Sequence, residues 1–327
     1  MQINEREKLL NERRIKISCI VPAHNEEENI QPFVAALSKE IEKQTDHYEI
    51  IIVDDGSRDK TVQQVESHLL SEHVKLLVFS RNFGKEKALT AGIEHCSGDV
   101  AILIDADFQH PLETIPVFLE HWKKGDDMVY GIRNTRRSET WLKRKFTRLF
   151  YRLIRGMGEV KIPRDAGDFR LLDRCVIEAL KQCPERNRFM KGLYAWVGFK
   201  SSAVVYQVKK RAAGTSSWHF MKLTNLALTG ITSFSNLPLR IWGAIGVVVS
   251  SISFLCALFI ITDTLIFGED VPGYATLLVV VVFFGGLQIL SIGILGEYIS
   301  RIFLEAKQRP QYLIAKKRGF EPVSSDK

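Results

Sequence analysis

Two long apolar runs constrain the fold of this chain more than any other feature of its sequence. They cover residues 241–261 and 274–295, and each is as long as the roughly 20 residues that a helix needs to cross a bilayer. The residues before Asn236 mix charged and apolar positions, as a soluble α/β domain does. We therefore predict a membrane protein with a large soluble part, anchored at 238–300 by a two-helix transmembrane hairpin.

The charges around the two predicted spans, 241–263 and 274–297, indicate how the hairpin is oriented. The loop between them contains Glu269 and Asp270 but no Lys or Arg, whereas the segment 301–327 contains many basic residues. Positive charge favours the cytoplasmic side, so the soluble domain and both termini are expected in the cytoplasm and 301–327 is expected to be a basic cytoplasmic tail. Residues 1–14 are highly charged and lack the apolar core of a signal peptide, so they are interpreted as a charged leader.

Two further segments have the pattern of helices at a membrane surface. Residues 139–156 interleave basic with aromatic and aliphatic side chains at helical spacing, which is typical of a basic amphipathic helix on an anionic membrane. Residues 216–237 have apolar positions at helical spacing and few charges, and they are predicted to form an interfacial juxtamembrane helix. Because the net charge of +7 is explained in this way, nucleic acid is not expected as a partner.

Strands and helices alternate through the soluble domain, 15–215, with short links between them. Runs of branched apolar residues predict strands at 15–21, 48–53, 74–79, 100–104 and 128–132. This order favours a parallel sheet that is covered by helices on both faces. Ligands of such sheets bind outside the carboxyl ends of the strands.

Polar clusters follow the first four strands, at the edge where ligands are expected. After the fourth strand, Asp105 and Asp107 face the same way in extended chain and, with the Gln109 carbonyl, offer the oxygen ligands that Mg²⁺ or Mn²⁺ accepts. The other clusters are Pro22-Ala23-His24-Asn25-Glu26, Asp54-Asp55 and Arg81 to Lys85. A solvated turn would explain one acidic pair, but four clusters at one edge favour a metal and nucleotide site. The usual glycine-rich phosphate motifs are missing from the sequence, so a cation would neutralise a bound diphosphate.

The motifs resemble those of the family 2 glycosyltransferases with a GT-A fold that act on polyisoprenyl phosphates. This group includes dolichyl-phosphate mannose synthases and the bacterial and prophage bactoprenol glucosyltransferases. The resemblance covers nearly the whole chain and rests on residues 21–27, Asp54-Asp55-Gly56-Ser57, residues 81–86, residues 105–109 and Gly167-Asp168-Phe169-Arg170-Leu171. It continues in residues 230–235, 238–240 and 296–299.

The resemblance implies a site as well as a Rossmann-like, mostly parallel GT-A domain. Asp105, Asp107 and Gln109 would hold Mg²⁺ or Mn²⁺. Pro22, Ala23, Asn25, Glu26, Asp54 and Asp55 would surround the nucleoside, with Arg81 and Lys85 near the diphosphate. His110, which precedes a proline, is interpreted as a core or rim histidine. The implied location is the bacterial inner membrane, with more than one pass.

The implied reaction is inverting transfer of a hexose from a nucleotide sugar, with glucose from UDP-glucose favoured, to undecaprenyl phosphate. A lipid phosphate is already anionic at neutral pH, so it needs positioning more than deprotonation. The candidates for holding this phosphate are Arg148, Arg164, Arg170 and Arg211, because an arginine fork fits phosphate oxygens in pairs. Asp107, Asp168, Arg170 and Arg211 are the catalytic candidates, and for Asp168 we favour a positioning role over that of a base.

Several alternatives stay open from the sequence. Aminoarabinose, mannose, galactose or an N-acetylhexosamine could replace glucose. A processive polysaccharide synthase shares the Asp-x-Asp domain, but the sequence has no Gln-x-x-Arg-Trp motif; a non-catalytic membrane module that binds a nucleotide sugar is a further alternative. Gly285, Gly286, Gly293 and Gly296 favour close helix contact in a homo-oligomer. A flippase and a downstream glycosyltransferase are the expected functional partners in O-antigen or cell-envelope glycan modification.

Overall fold

An eight-stranded mixed sheet forms the centre of the protein in the computed structural model, which describes residues 3–69, 71–133, 166–186, 188–207 and 273–320 and single positions between 242 and 266. The strands are β1 (Ile17–Ala23), β2 (Tyr48–Asp54), β3 (Val74–Phe79), β4 (Val100–Leu103), β5 (Met128–Arg133), β6 (Ala166–Asp173), β7 (Ser201–Tyr206) and β8 (Ile314–Arg318). Their order across the sheet is β7-β5-β6-β4-β1-β2-β3-β8.

The helices lie between these strands along the chain. They are α1 (Ile3–Asn11), α2 (Ile30–Ile41), α3 (Thr61–Gln64), α4 (Lys85–His95), α5 (Ile115–Lys123), α6 (Arg174–Gln182), α7 (Met190–Trp196) and α8 (Tyr274–Ala306). The chain continues from α3 into a π-helical turn, Val65–Leu69, and enters α5 through a 3₁₀ turn, Leu112–Thr114.

The centre of the sheet is parallel, which confirms the predicted α/β class. The strands β4, β1, β2 and β3 pair in parallel, and every residue of β2 is buried. Alternate residues of β2 enter different cores: Ile50 and Ile52 pack with α2 and α5 residues, and Ile51 and Val53 pack with α4 residues on the other face. Helices therefore cover both faces, as the branched apolar runs predict.

The flanks of the sheet depart from the all-parallel expectation. β6 pairs antiparallel with both β4 and β5, and β8 pairs antiparallel with β3. Because β6 runs opposite to β4, its first residues lie at the edge where β4 ends. This direction brings Asp168, near the start of β6, to the edge that carries Asp105.

The segment interpreted as a charged leader is part of the folded domain. Its residues form α1, which packs against α5. Arg6 of α1 is 2% exposed, and its Nη2 lies 2.6 Å from Asp127 Oδ1 and 3.1 Å from Asp173 Oδ2. The sequence pattern is misleading here because the contacts that attach this helix join residues far apart in the chain: buried ion pairs of Arg6, together with Leu9 and Leu10 packed against the core.

The second apolar run forms α8, which extends nine residues beyond the predicted end at 297. Within the described part of the chain, one segment, Phe283–Ala306, is long and apolar enough to cross a membrane, with a mean hydropathy of 1.4. None of this segment is buried in the protein, and Phe283, Ile289 and Ile292 are 64%, 72% and 61% exposed. These residues present the apolar surface that a bilayer accommodates.

The predicted tail 301–327 is not simply a tail, because β8 adds a strand to the sheet. β8 pairs with β3, Ser80 N–H donates to Leu313 O at 2.9 Å, and the Tyr312 ring stacks on Phe79 with 4.9 Å between centroids. The exposed basic residues of β8 gave it the pattern of a tail, since an edge strand buries little of its surface.

Several predicted segments lie outside the described residues. They are the basic amphipathic helix at 139–156, the juxtamembrane helix at 216–237 and, apart from single positions, the first span at 241–263. Arg148, Arg164 and Arg211 lie there too. The two-helix hairpin therefore stays a prediction.

Candidate active site

The loop after β1 is attached to the turn after β2. Asn25 adopts a positive φ of 56°, its backbone N–H donates to Ser57 Oγ at 2.9 Å, and its Oδ1 accepts from Arg58 N–H at 2.9 Å. Glu26 donates its backbone N–H to Thr61 Oγ1 at 2.9 Å. Pro22 and Ala23 lie directly before this loop, paired with the last two residues of β2. The first two predicted clusters therefore form one surface.

Asp54 lies at the end of β2, and one of its two carboxylate oxygens is hydrogen-bonded. Its Oδ2 accepts from Ser57 N–H at 3.0 Å, whereas the buried Oδ1 has no partner in the described part of the protein. Burial raises the pKa of Asp54 above its usual range. An oxygen of this kind suits a donor group of a bound ligand.

The Asp55 cluster, which comprises Asp55, Phe83 and Gly84, holds the loop after β3. The backbone N–H of Phe83 donates to Asp55 Oδ1 at 2.6 Å, and that of Gly84 donates to Oδ2 at 2.9 Å. Gly56 brings the two loops together with a φ of +66°, and a Cβ atom there would lie 2.4 Å from the carbonyl carbon of Arg81. The exposed Arg81 guanidinium lies over the Phe83 ring, 4.1 Å from its centroid.

The Lys85 cluster, which comprises Lys85, Asp105 and Asp168, joins α4 to β6 and to the turn after β4. Lys85 Nζ lies 2.7 Å from Asp105 Oδ1 and 2.8 Å from Asp168 Oδ2. The Lys85 side chain is 41% exposed, and the Asp105 and Asp168 side chains are 23% and 19% exposed. The cluster is therefore an accessible group of alternating charges.

The charges of the Lys85 cluster keep its members ionised. Burial lowers the pKa of Lys85, but the carboxylates of Asp105 and Asp168 outweigh this effect and raise it above its usual range. Burial raises the pKa of both aspartates, but Lys85 outweighs it and the net pKa of each is lowered. One ammonium and two carboxylates consequently face each other at neutral pH.

Asp107 and Gln109 lie on the turn that follows Asp105. The Gln109 backbone N–H donates to Asp107 Oδ1 at 3.0 Å, and Phe108 between them has a positive φ of 58°. Asp107 is 7% exposed. In the described ranges no group of three or more His, Cys, Asp or Glu side chains is arranged to hold a metal ion.

The donor set of this turn nevertheless fits a hard divalent cation. The Lys85 ammonium already occupies a cation position against Asp105, which shows that the carboxylate faces positive charge. Mg²⁺ and Mn²⁺ are often bound through one or two carboxylates and complete their coordination with substrate phosphates and water. Asp105 and Asp107 can provide those two carboxylates, and the phosphates of a nucleotide would provide the rest.

Arg170 does not present its guanidinium as the expected phosphate clamp. The residue is 3% exposed, Nη2 donates to Gly167 O at 2.7 Å, and the guanidinium lies over the Tyr194 ring, 3.7 Å from its centroid. The reason is that β6 is an inner strand, in which Arg170 pairs with Leu103 and Tyr130. Its Nε has no partner in the described ranges.

Sequence reasoning missed several polar side chains next to the Lys85 cluster. Glu86 Oε2 accepts from Met190 N–H at 3.0 Å, and burial together with the Asp168 carboxylate raises the pKa of Glu86 to about 7. The buried Tyr194 hydroxyl has no partner among the residues described, and the same holds for Oδ1 of Asp168, which the sequence did predict. Glu86 closes the motif 81–86 but has the pattern of a first-turn helix acid, and Tyr194 has the pattern of a core residue, so the sequence gives neither of them a role.

Comparison with known proteins shows the family of this chain. Residues 18–181 match the family described as Glycosyl transferase family 2. The chain belongs to glycosyl transferase family 2. The resemblance of its motifs is thereby confirmed, and the α/β domain with its mostly parallel central sheet is the domain of a glycosyltransferase.

Curated relatives of this glycosyltransferase match over nearly its full length. The SfII prophage-derived bactoprenol glucosyl transferase of Shigella flexneri is 47% identical over 94% of this chain and 100% of its own. The prophage bactoprenol glucosyl transferase homolog of Escherichia coli K12 is 46% identical over 92% of this chain and 98% of its own. A crystal structure of glucosyl-3-phosphoglycerate synthase from Mycobacterium tuberculosis in complex with Mn²⁺, uridine diphosphate and glucosyl-3-phosphoglycerate is 18% identical, covering 71% of this chain and 82% of its own, with a TM-score of 0.46.

Proposed function

We propose that this glycosyltransferase transfers glucose from UDP-glucose to undecaprenyl phosphate, with inversion at the anomeric carbon. Two relatives that are 46% and 47% identical over more than nine tenths of the chain carry the name bactoprenol glucosyl transferase, which supports the sugar and the acceptor. The product is a lipid-linked glucose for O-antigen or cell-envelope glycan modification. A flippase and a second glycosyltransferase would then use it.

The observation that carries this proposal is the Lys85 cluster beside the Asp55 cluster. Asp54 Oδ1, which has no partner among the described residues, and the loop held by Asp55 offer a polar surface for a nucleoside, and Lys85 follows that loop directly. Because a lysine side chain is a flexible four-carbon stem, its ammonium next to two carboxylates can turn toward a diphosphate without leaving the site. This arrangement supports a reaction in which negative charge develops on a leaving diphosphate.

The reaction step follows from the chemistry of the two substrates. An oxygen of the lipid phosphate attacks the anomeric carbon, a new C–O bond forms, and the bond to the diphosphate breaks with its electron pair going to UDP. No proton has to move, because the lipid phosphate is already anionic at neutral pH. Lys85 stabilises the departing diphosphate, and Asp168 keeps Lys85 oriented toward it. Arg148, Arg164 and Arg211 stay our candidates for holding the lipid phosphate.

A divalent cation completes the proposed site. Asp105, Asp107 and the Gln109 side chain would hold Mg²⁺ or Mn²⁺, and the ion would act as a Lewis acid that neutralises charge on the diphosphate. Lys85 would then exchange its contact with Asp105 for one with the nucleotide.

The membrane arrangement is part of the same proposal. We infer that α8 and the apolar run at 241–263 form a hairpin in the bacterial inner membrane, with the catalytic domain and both termini in the cytoplasm. The exposed apolar surface of α8 and the short link, residues 307–313, that joins α8 to β8 of the sheet support a catalytic domain close to the bilayer. The helices at 139–156 and 216–237 would bring the site to the lipid headgroups, and the glycines of α8 favour a homo-oligomer.

The experiment that tests this proposal uses the purified full chain with undecaprenyl phosphate and either Mn²⁺ or Mg²⁺. Labelled UDP-glucose, UDP-galactose, a UDP-N-acetylhexosamine, GDP-mannose and UDP-aminoarabinose are offered separately, and label is followed into the lipid phase. We expect transfer from UDP-glucose that is lost on chelation and in Asp107→Ala. Transfer from a different donor alone would contradict the assigned sugar, and nucleotide binding without transfer from any donor would indicate a binding module.

A further inference from the structure

His110 and Tyr206 form a buried pair directly behind Asp105. The Tyr206 hydroxyl oxygen lies 2.8 Å from His110 Nδ1, and His110 Nε2 lies 3.5 Å from Asp105 Oδ2. His110 is 2% exposed and Tyr206 is 5% exposed. A histidine that only filled the core would have no need to face the carboxylate of the Lys85 cluster with its second nitrogen.

The surrounding strands build a close-fitting site for the two rings. Gly131 of β5 lies against the Tyr206 ring, and a Cβ atom at this position would come within 2.5 Å of Tyr206 Cε1. Phe169 of β6 contacts both rings, with its centroid 5.0 Å from His110 and 5.7 Å from Tyr206. The rings therefore have little freedom to move away from Asp105.

The direction of the hydrogen bonds follows from the chemistry of the partners. The ionised Asp105 carboxylate only accepts, so His110 Nε2 carries a proton toward it. In the tautomer that carries its proton on Nε2, His110 Nδ1 accepts the hydroxyl hydrogen of Tyr206. The contacts thus run from Tyr206 through His110 to Asp105.

We propose that His110 and Tyr206 are positioning residues, which hold the Asp105 carboxylate in the orientation from which it binds the divalent cation. The proposal rests on the proposed function, because it takes Asp105 as a ligand of that cation. Outer partners of metal ligands typically change metal affinity about 10- to 100-fold. The contact of His110 with Asp105 is long and Lys85 also holds Asp105, so we expect an effect near the lower limit.

The test measures Mn²⁺ binding to the full chain in detergent with saturating UDP, using the electron paramagnetic resonance signal of free Mn²⁺. Tyr206→Phe removes one hydroxyl and keeps the ring, and we expect Mn²⁺ to bind about 5- to 10-fold more weakly. His110→Phe removes the donor to Asp105 and should weaken binding at least as much. In the transfer assay, Tyr206→Phe should need more Mn²⁺ for half of its maximal rate and recover that rate at high Mn²⁺.

The matched control is Tyr48→Phe. Tyr48 is 8% exposed, its hydroxyl donates to Glu42 Oε1 at 2.8 Å, and it begins β2 at the opposite end of the strand from Asp54. Each tyrosine variant loses one side-chain hydrogen bond, which is buried at Tyr206 and partly buried at Tyr48, and only Tyr206→Phe should change Mn²⁺ affinity. Because a folded Tyr206→Phe protein is sufficient for the test, it does not depend on the folding of His110→Phe.

Asp105→Asn in the same assay tests the proposed cation site separately from the positioning role of His110 and Tyr206. If Asp105→Asn loses Mn²⁺ while Tyr206→Phe binds it as tightly as the wild type, the positioning role is overturned and the proposed function stands. If Asp105→Asn itself binds Mn²⁺ normally, the proposed cation site is wrong and the positioning role falls with it.

Discussion

The carboxylates of Asp55 and Asp168 lie at the same edge of the sheet, but they are neutralised in opposite ways. Asp55 accepts hydrogen bonds from the backbone N–H groups of Phe83 and Gly84, whereas Asp168 faces the side chain of Lys85 and keeps one buried oxygen without a partner in the described ranges. Backbone donors are fixed by the loop, but an ammonium on a four-carbon chain can turn to another anion. The Asp55 cluster therefore shapes the site, and the Lys85 cluster is suited to change partners during the reaction.

The largest effect is expected from Lys85→Met, which removes the positive charge of the Lys85 cluster. Loss of an oriented cation beside a leaving group typically lowers kcat about 100- to 1000-fold, and we expect a loss of this size in glucose transfer. Lys75→Met is a matched control, because Lys75 Nζ lies 2.6 Å from the buried Glu49 away from this edge. It should lower Tm without a comparable loss of kcat. Equal losses of kcat in Lys85→Met and Lys75→Met would contradict the role of the Lys85 cluster in the reaction.

Asp55→Asn tests the Asp55 cluster, and we expect it to lower the stability of the protein. The amide of an asparagine would direct a donor at a backbone N–H, so we expect the free energy of unfolding to fall by about 2 kcal/mol, with a raised KM for the donor. Asp46→Asn is the control, because the Asp46 side chain is 77% exposed and pairs only with Arg13 among the described contacts. Chemical unfolding in detergent measures the difference. A stable Asp55→Asn protein with a strongly reduced kcat would contradict the role of Asp55 in shaping the site.

Much of the fold behind this comparison was predictable from the sequence, most completely for the parallel half of the sheet. Branched apolar runs define β2, β3 and β4 to within a residue, and the parallel order brings Asp54, Asp55 and Asp105 to one edge. Local pattern is sufficient there because each strand is buried on both faces.

The antiparallel half depends on contacts between residues that are distant in the chain. No local pattern predicts that Arg6 is buried against Asp127 and Asp173, or that Tyr206 reaches His110. β8 was missed because an edge strand with exposed lysines and arginine has the composition of a solvated tail. Arg170 was assigned to the lipid phosphate from its type, and only the position of β6 between β4 and β5 explains why it is buried.

The pH dependence of protein stability sharpens the comparison, because Glu86 adjoins the Lys85 cluster. Burial and Asp168 raise the pKa of Glu86 from 4.5 to about 7. A carboxyl whose pKa is raised by folding stabilises the protein fully below about pH 4.5, and this contribution is lost as the pH rises through about 7. Between these values the wild type should lose about 3 kcal/mol more stability than Glu86→Gln, which has no proton to lose. Unfolding curves that stay parallel across this range would contradict the raised pKa.

The smallest effect is expected from Tyr194→Phe. The Tyr194 hydroxyl is buried without a partner in the part of the chain that the structure describes, so its removal should change the free energy of unfolding by less than about 1 kcal/mol and in the stabilising direction. Thermal unfolding measures this change, and glucose transfer is measured beside it. A clear loss of stability would mean that the hydroxyl has a partner in the folded protein.

The anomeric configuration of the product tests the central claim most directly. Nuclear magnetic resonance of the lipid product made from UDP-glucose, whose glucose is α-linked, distinguishes direct attack by the lipid phosphate from a two-step route through a protein carboxylate. Our account predicts β-linked glucose, because one displacement inverts the anomeric carbon while Lys85 keeps Asp168 as an ion-pair partner. An α-linked product would contradict it, since retention requires a second displacement and would make a carboxylate such as Asp168 the nucleophile.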